Sequence, residues 1–168
     1  MRLLSPLLLA LAGSALAAPQ GGCEGVDAEA SVRAVNALRG QARQCGERTL
    51  PAAASLRWQA TLAGSAQRYA QELARRDRLD HVGEAGASLR MRMREAGYLM
   101  RAAGENLAGG PETLDEALAQ WLASPTHCEN LMGAEFEEFG LACATGPGQL
   151  QRYWVLQLGA PVRSSPGR

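Results

Sequence analysis

Lysine is absent from the 168-residue chain: all 17 basic side chains are arginine, set against 17 acidic ones. This balance excludes a strong field of either sign, so nothing electrostatic points to nucleic acid or an acidic membrane as partner. The arginines are scattered, and the one dense group, Arg90, Arg92 and Arg94, reads as a solvated helix face, with a phosphate or acidic-sugar site as the less favoured alternative. Histidine is nearly as scarce, with only His81 and His127, so any imidazole chemistry has to use these two. Of the four cysteines no two stand in a Cys-x-x-Cys pair, which argues against a structural zinc cluster. No apolar run is long enough to span a bilayer comfortably; the longest, Leu3 to Leu16, is interrupted by Ser5, Pro6, Gly13 and Ser14.

That run is a leader. Met1 and Arg2 supply a positive start, and Ala15-Leu16-Ala17 is the small-x-small pattern of a signal-peptidase site, so residues 1–17 are expected to be removed before Ala18. Gln20-Gly21-Gly22 before Cys23 does not suit lipid attachment, and no membrane anchor is expected. The remaining chain, about 150 residues, is one domain's worth and carries 16 basic against 17 acidic groups once Arg2 is lost. A periplasmic or secreted location follows, and in that compartment four cysteines read as two disulfides. Of the three pairings, the nearest-neighbour one, Cys23–Cys45 with Cys128–Cys143, is favoured by the layout of elements. Its loops of about 22 and 15 residues would each contribute about 3 kcal/mol. Cys23–Cys45 is the weaker pair, because a helix roughly 24 Å long lies between the two positions.

After a Gly-rich lead-in over 18–26, Asp27 caps a helix predicted to reach about Arg43, with Ala28, Val32, Val35 and Leu38 on its apolar side. A loop containing Pro51 follows. Trp58, Leu62, Ala66, Tyr69 and Leu73 then recur every three or four residues, predicting a helix over 55–76 with Arg68, Gln71, Arg75 and Arg76 facing water. Residues 77–86 form a polar turn carrying His81, and a short helix follows over 87–96. Gly104-Glu105-Asn106-Leu107-Ala108 reads as a short strand or an irregular turn, and Pro111 opens a helix that ends at Ser124-Pro125. One or two helical turns cover 126–132. Alternation from Glu135 onward predicts a hairpin, with its turn at Gly146-Pro147-Gly148 and a return strand over 153–158. The tail from 161 to 168 is expected to be disordered. Helices plus a hairpin indicate an α+β layered domain rather than a doubly wound one.

On spacing alone the two histidines, 46 residues apart, fit either a metal or acid/base site completed by carboxylates, or two unrelated surface groups. Asn106 reads as a backbone-bonding turn residue, Ser124 as a turn or cap residue with no nucleophile elbow around it, and Trp121 and Trp154 as core.

Five strings occur in order: Asp80-His81; Gly104-Glu105-Asn106-Leu107-Ala108; Trp121 with Ser124-Pro125-Thr126-His127-Cys128-Glu129-Asn130-Leu131-Met132; Phe136-Glu137-Glu138-Phe139-Gly140; and Tyr153-Trp154-Val155. In this the chain resembles the CAP superfamily (cysteine-rich secretory, antigen 5 and pathogenesis-related proteins) in its bacterial SCP-like form, over residues 27–160. The resemblance implies an α-β-α sandwich, with a small antiparallel sheet between helices and a central cleft. It places the family's cleft tetrad on His81, Glu105, His127 and Glu138. Glu138 takes that role through the Phe-x-Glu-x-Gly register, leaving Glu137 solvated. Bacterial relatives often carry Arg after the second histidine; Cys128 stands there, suggesting a subgroup stapled by Cys128–Cys143. The expected function is an exported, monomeric tetrad protein binding Zn2+ or another divalent cation. His81 and His127 would be the ligands, with Glu105 and Glu138 acting through water or orienting the imidazoles. Its two alternatives are a metal-assisted hydrolase of peptide or envelope bonds, for which all four are the catalytic candidates, and a non-catalytic module for a lipid, sterol, envelope component or protein.

Overall fold

The computed structural model describes residue 23 and residues 25–163. The expected leader, most of the lead-in and residues 164–168 lie outside the described residues. Helix α1 spans Ala28–Arg39, capped as expected by Asp27, whose Oδ1 accepts the Ala30 N–H at 2.6 Å. It stops four residues short of the predicted end, at Gly40, because a hairpin of β1 (Arg43–Cys45) and β2 (Arg48–Leu50) follows directly.

Strand β3 (Arg57–Trp58) precedes α2 (Ala60–Arg76). The apolar stripe of α2 is Leu62, Ala66, Tyr69 and Leu73, as the spacing predicts. Trp58 belongs to β3 instead, meeting Phe139 edge to face at 5.4 Å between ring centroids. Helix α3 (Leu89–Glu95) leads into β4, which runs Met100–Gly109 and resolves the strand-or-turn ambiguity around Glu105 in favour of strand. Helix α4 (Leu114–Ala123) starts at the Thr113 cap rather than at Pro111, since the Thr113 hydroxyl can accept the Glu116 N–H and Pro111 has no such group. Pro125 instead opens α5 (Pro125–Met132). Strands β5 (Glu138–Thr145) and β6 (Arg152–Pro161) complete the chain. Strand β6 reaches Pro161 and the Val162 N–H bonds the Leu99 carbonyl, so the sheet extends past the expected start of the tail.

The four-stranded sheet has the order β3-β5-β6-β4. It is antiparallel except where β3 joins β5 in parallel, a departure from the expected all-antiparallel sheet. Residues alternate between its faces. One face carries Leu107, Ala142, Ala144, Tyr153 and Val155 against α2; the other carries Phe139, Leu141, Trp154, Leu156 and Leu158 against α1, α4 and α5. The result is the expected α-β-α sandwich. Gly140 lets α2 lie flat on the sheet, since a Cβ there would fall 2.1 Å from the Ala63 amide nitrogen. Trp121 and Trp154 are fully buried and donate to the carbonyls of Leu107 and Pro111, both at 2.9 Å, which makes them core residues.

The disulfides correct the nearest-neighbour pairing. Cys23 bonds Cys143 and Cys45 bonds Cys128. The reason lies in the layers. Cys143 belongs to the core between the sheet and α1, where Cys23 packs at the start of that helix. Cys128 belongs to a separate cluster with Cys45 and Met132, where the β1–β2 hairpin covers α5. Among the described residues no helix is long and apolar enough to cross a membrane.

Candidate functional site at the outer edge of strand β4

Strand β4 is an edge strand, and at its middle the side chains of Glu105 and Asn106 point to opposite faces. Glu105 faces the α2 side and is buried at 5 % exposure. Its Oε1 receives Nδ1 of His81 at 3.0 Å, and its Oε2 receives Nη2 of Arg92 at 2.6 Å and Nε2 of Gln157 at 3.4 Å. A buried carboxylate is costly unless paired and hydrogen-bonded, and these three donors meet that cost. Asn106 works on the opposite face, where its Nδ2 donates to the His127 carbonyl at 2.9 Å and its Oδ1 accepts from Asn130 at 2.9 Å. Asn130 also donates to the Glu105 carbonyl at 3.2 Å, so β4 and α5 are fastened together beside both histidines.

His81 comes from the loop after α2, and its imidazole is 58 % exposed. That loop is held from beneath. The Tyr69 hydroxyl donates to the Asp80 carbonyl, Asp80 Oδ1 accepts the Val82 N–H at 3.0 Å, and Asp80 Oδ2 pairs with Arg78 at 3.0 Å. His127 lies in the first turn of α5 and is half-buried. His81 and Glu105 are joined directly by a hydrogen bond, and His127 is tied to the next residue of β4 through the bond of its carbonyl to Asn106.

Glu138 stands elsewhere. Its Oε1 pairs with Arg57 at 3.1 Å and its Oε2 accepts from the Tyr98 hydroxyl at 2.9 Å. It shares the sheet face of Glu105, but two strands across and two residues along, or about 12 Å between Cα atoms by sheet geometry. Among the described residues no hydrogen bond joins Glu138 to His81, Glu105 or His127. Among the described residues no group of three or more His, Cys, Asp or Glu side chains is arranged to hold a metal ion. Glu137, as expected, points away from Glu138 and pairs with Arg101 at 2.5 Å.

The residue that sequence reasoning missed is Arg92. Only Arg90 and Arg94 of the arginine group are exposed, whereas Arg92 is buried. A signal existed: Leu89, Arg92, Met93 and Ala96 share helical spacing, so Arg92 sits inside the apolar stripe of α3.

The two imidazoles are shifted in opposite directions. The bond to Glu105 raises the His81 pKa above its ordinary 6.5, while burial, and then the His81 charge, lower that of His127. His81 therefore contributes stability that is complete below 6.5 and fades as pH rises through its folded value. His127 has the opposite sign: as pH falls through 6.5 the unfolded chain is protonated first, and stability is lost down to the folded value. In an NMR titration the two Cε1 protons should show midpoints on opposite sides of 6.5. A His81 midpoint at or below 6.5 would contradict the pairing of His81 with Glu105.

Comparison with known proteins agrees with this architecture. The profile of the cysteine-rich secretory protein family, CAP, matches residues 32–158, more than half of the chain. The chain belongs to the CAP family. It is 30 % identical over 81 residues to the uncharacterized protein YkwD of Bacillus subtilis, a match that spans 48 % of this chain and 32 % of that relative. In structure it is similar to an outer surface protein of Borrelia burgdorferi, with a TM-score of 0.64 and 20 % identity, covering 82 % of this chain and 97 % of that one. An extracellular SCP-domain protein of Bacillus anthracis aligns with a TM-score of 0.57 and 21 % identity over 64 % of this chain and 34 % of its own length. NaASP2, solved with Zn2+, aligns with a TM-score of 0.53 and 18 % identity over 84 % of this chain and 83 % of its own.

Proposed function

We propose that this CAP domain is an exported protein whose His81 and His127 bind a divalent cation, zinc foremost, in an open cleft at the β4 edge. The observation that carries the reading is the engagement of His81 Nδ1 by the buried Glu105, which leaves Nε2 as the ring nitrogen available to a ligand. This is the carboxylate–histidine arrangement that orients imidazole ligands in metal sites. The donor set fits two imidazoles with solvent completing the coordination. Glu105 orients rather than ligates, because both its oxygens are already engaged, and Glu138 takes no part. Burial also keeps His127 in the neutral form that a metal needs. A cation bound there would supply Lewis acidity toward water or a carbonyl oxygen, the chemistry of a metal-assisted hydrolase. NaASP2, a CAP protein of the same fold, has been crystallised with Zn2+, which supports the choice of probe. Export is supported by the two disulfides and by the extracellular and surface neighbours. A periplasmic or secreted monomer, its leader removed at residue 17, is the form proposed.

Zinc titration calorimetry on the oxidised mature protein is expected to show micromolar or tighter binding at pH 7.5. A His81→Ala/His127→Ala double variant should abolish the heat. Binding that survives in the folded double variant would refute the site, and absence of binding to the parent would refute the cation itself.

A further inference from the structure

Arg92 touches every part of the His81 environment. Its Nη1 donates to the His81 carbonyl at 3.0 Å and to the Ala87 carbonyl at 2.8 Å, so it holds the loop backbone. Its Nη2 donates to Glu105 Oε2 at 2.6 Å, so it holds the partner of the His81 side chain. Its guanidinium lies 3.4 Å above the Tyr69 ring, and the Tyr69 hydroxyl in turn holds the Asp80 carbonyl next to His81. The whole residue is 8 % exposed. One planar fork thus sets both the backbone position of His81 and the direction of the carboxylate its ring must meet.

We propose that Arg92 is the positioning residue of the histidine site, fixing His81 in the tautomer that carries its proton on Nδ1 and turns the Nε2 lone pair outward. The chemistry is one of acceptors and donors. A carboxylate paired with a guanidinium offers only acceptor oxygens, so the neutral ring facing it must present an N–H at Nδ1. Free neutral histidine prefers its proton on Nε2, the nitrogen a ligand would need bare. The clamp reverses that preference before any ligand arrives. Lysine could keep the charge but not the geometry, since one ammonium cannot lie flat on Tyr69 while reaching Glu105 and two loop carbonyls. The inference deepens the cation reading, for it says how His81 is prepared, yet it is read out without metal.

The experiment is long-range proton–nitrogen NMR of 15N-histidine-labelled protein, free of metal and above the imidazole titration range. Parent, Arg92→Lys and Arg92→Met are compared. In the parent, His81 should show a pyrrole-type Nδ1 and a pyridine-type Nε2. Arg92→Met should move His81 toward the opposite pattern, with Arg92→Lys between, while His127 keeps its parent pattern. A merely structural role would disturb both histidines together or neither. Zinc affinity should fall about 10- to 100-fold in Arg92→Met, the range seen when groups supporting a metal ligand are removed. A parent His81 with its proton on Nε2 overturns the proposal outright, even if both variants fail to fold. So does a folded Arg92→Met protein with an unchanged His81. Correct tautomers with no zinc binding would leave this inference standing and refute the cation reading alone.

Discussion

Replacing Arg39 by alanine is expected to lower the free energy of unfolding by about 4 kcal/mol, a large share of what a domain of this size holds in reserve. Arg39 is fully buried at the end of α1, and no carboxylate lies within ion-pairing distance of it among the described residues. Carbonyls take three hydrogen bonds from it instead: Nε donates to Ala54 at 2.9 Å, and Nη1 donates to Leu131 at 2.6 Å and Gly133 at 3.1 Å, while Nη2 is buried without a partner among the described residues. The last two belong to the C-terminal end of α5, where orphan carbonyls and the helix dipole both favour a cation. Burial pulls the Arg39 pKa down, and the more distant Glu135 charge partly offsets that. Removing the side chain would leave three acceptors and a cavity among α1, the 51–56 segment and α5. Urea unfolding monitored by tryptophan fluorescence should show the midpoint falling with little change in slope. A loss under about 1 kcal/mol would mean that water or neighbouring donors take over those carbonyls, and that Arg39 is not what joins the three segments.

The Cys45–Cys128 bond has a comparable expected effect. The two positions lie 83 residues apart, so on the chain-entropy account closing that loop contributes about 4.5 kcal/mol. Cys45→Ala/Cys128→Ala should therefore be less stable than the parent by about 4 kcal/mol and should melt about 10 °C lower. The same variant frees the hairpin from the helix that carries His127, so its zinc affinity should fall with its stability. Before any melt, a non-reducing digest with trypsin and a glutamate-specific protease, which cuts between Cys128 and Cys143, should join the Cys45 peptide to the Cys128 peptide. A species joining Cys23 to Cys45 would show the pairing described here to be wrong. The Cys23–Cys143 bond closes a longer loop, 120 residues, and ties the start of α1 to β5. The two contributions do not add, because the shorter loop lies within the longer one.

The residue pattern by itself determined most of the element types. The α2 stripe, the Asp27 cap and the β5–β6 hairpin follow from local periodicity and turn chemistry, which act over a few residues and are written in the chain directly. The five ordered strings, by resemblance, also pointed to His81 and Glu105, which a hydrogen bond joins. Tertiary structure alone decided the rest. Cysteine pairing depends on which layers meet, and sequence separation says nothing about whether the hairpin covers α5 or the N-terminus reaches β5. The distance of Glu138 from Glu105 follows from sheet order, which puts β6 between β5 and β4, and strand order is a long-range property. From sequence Arg92 reads as part of a solvated helix face, and nothing in the pattern marks Arg39 as buried. Burial made each of them the centre of a hydrogen-bond cluster, and only the arrangement of carbonyls and a carboxylate around a buried guanidinium makes that burial tolerable.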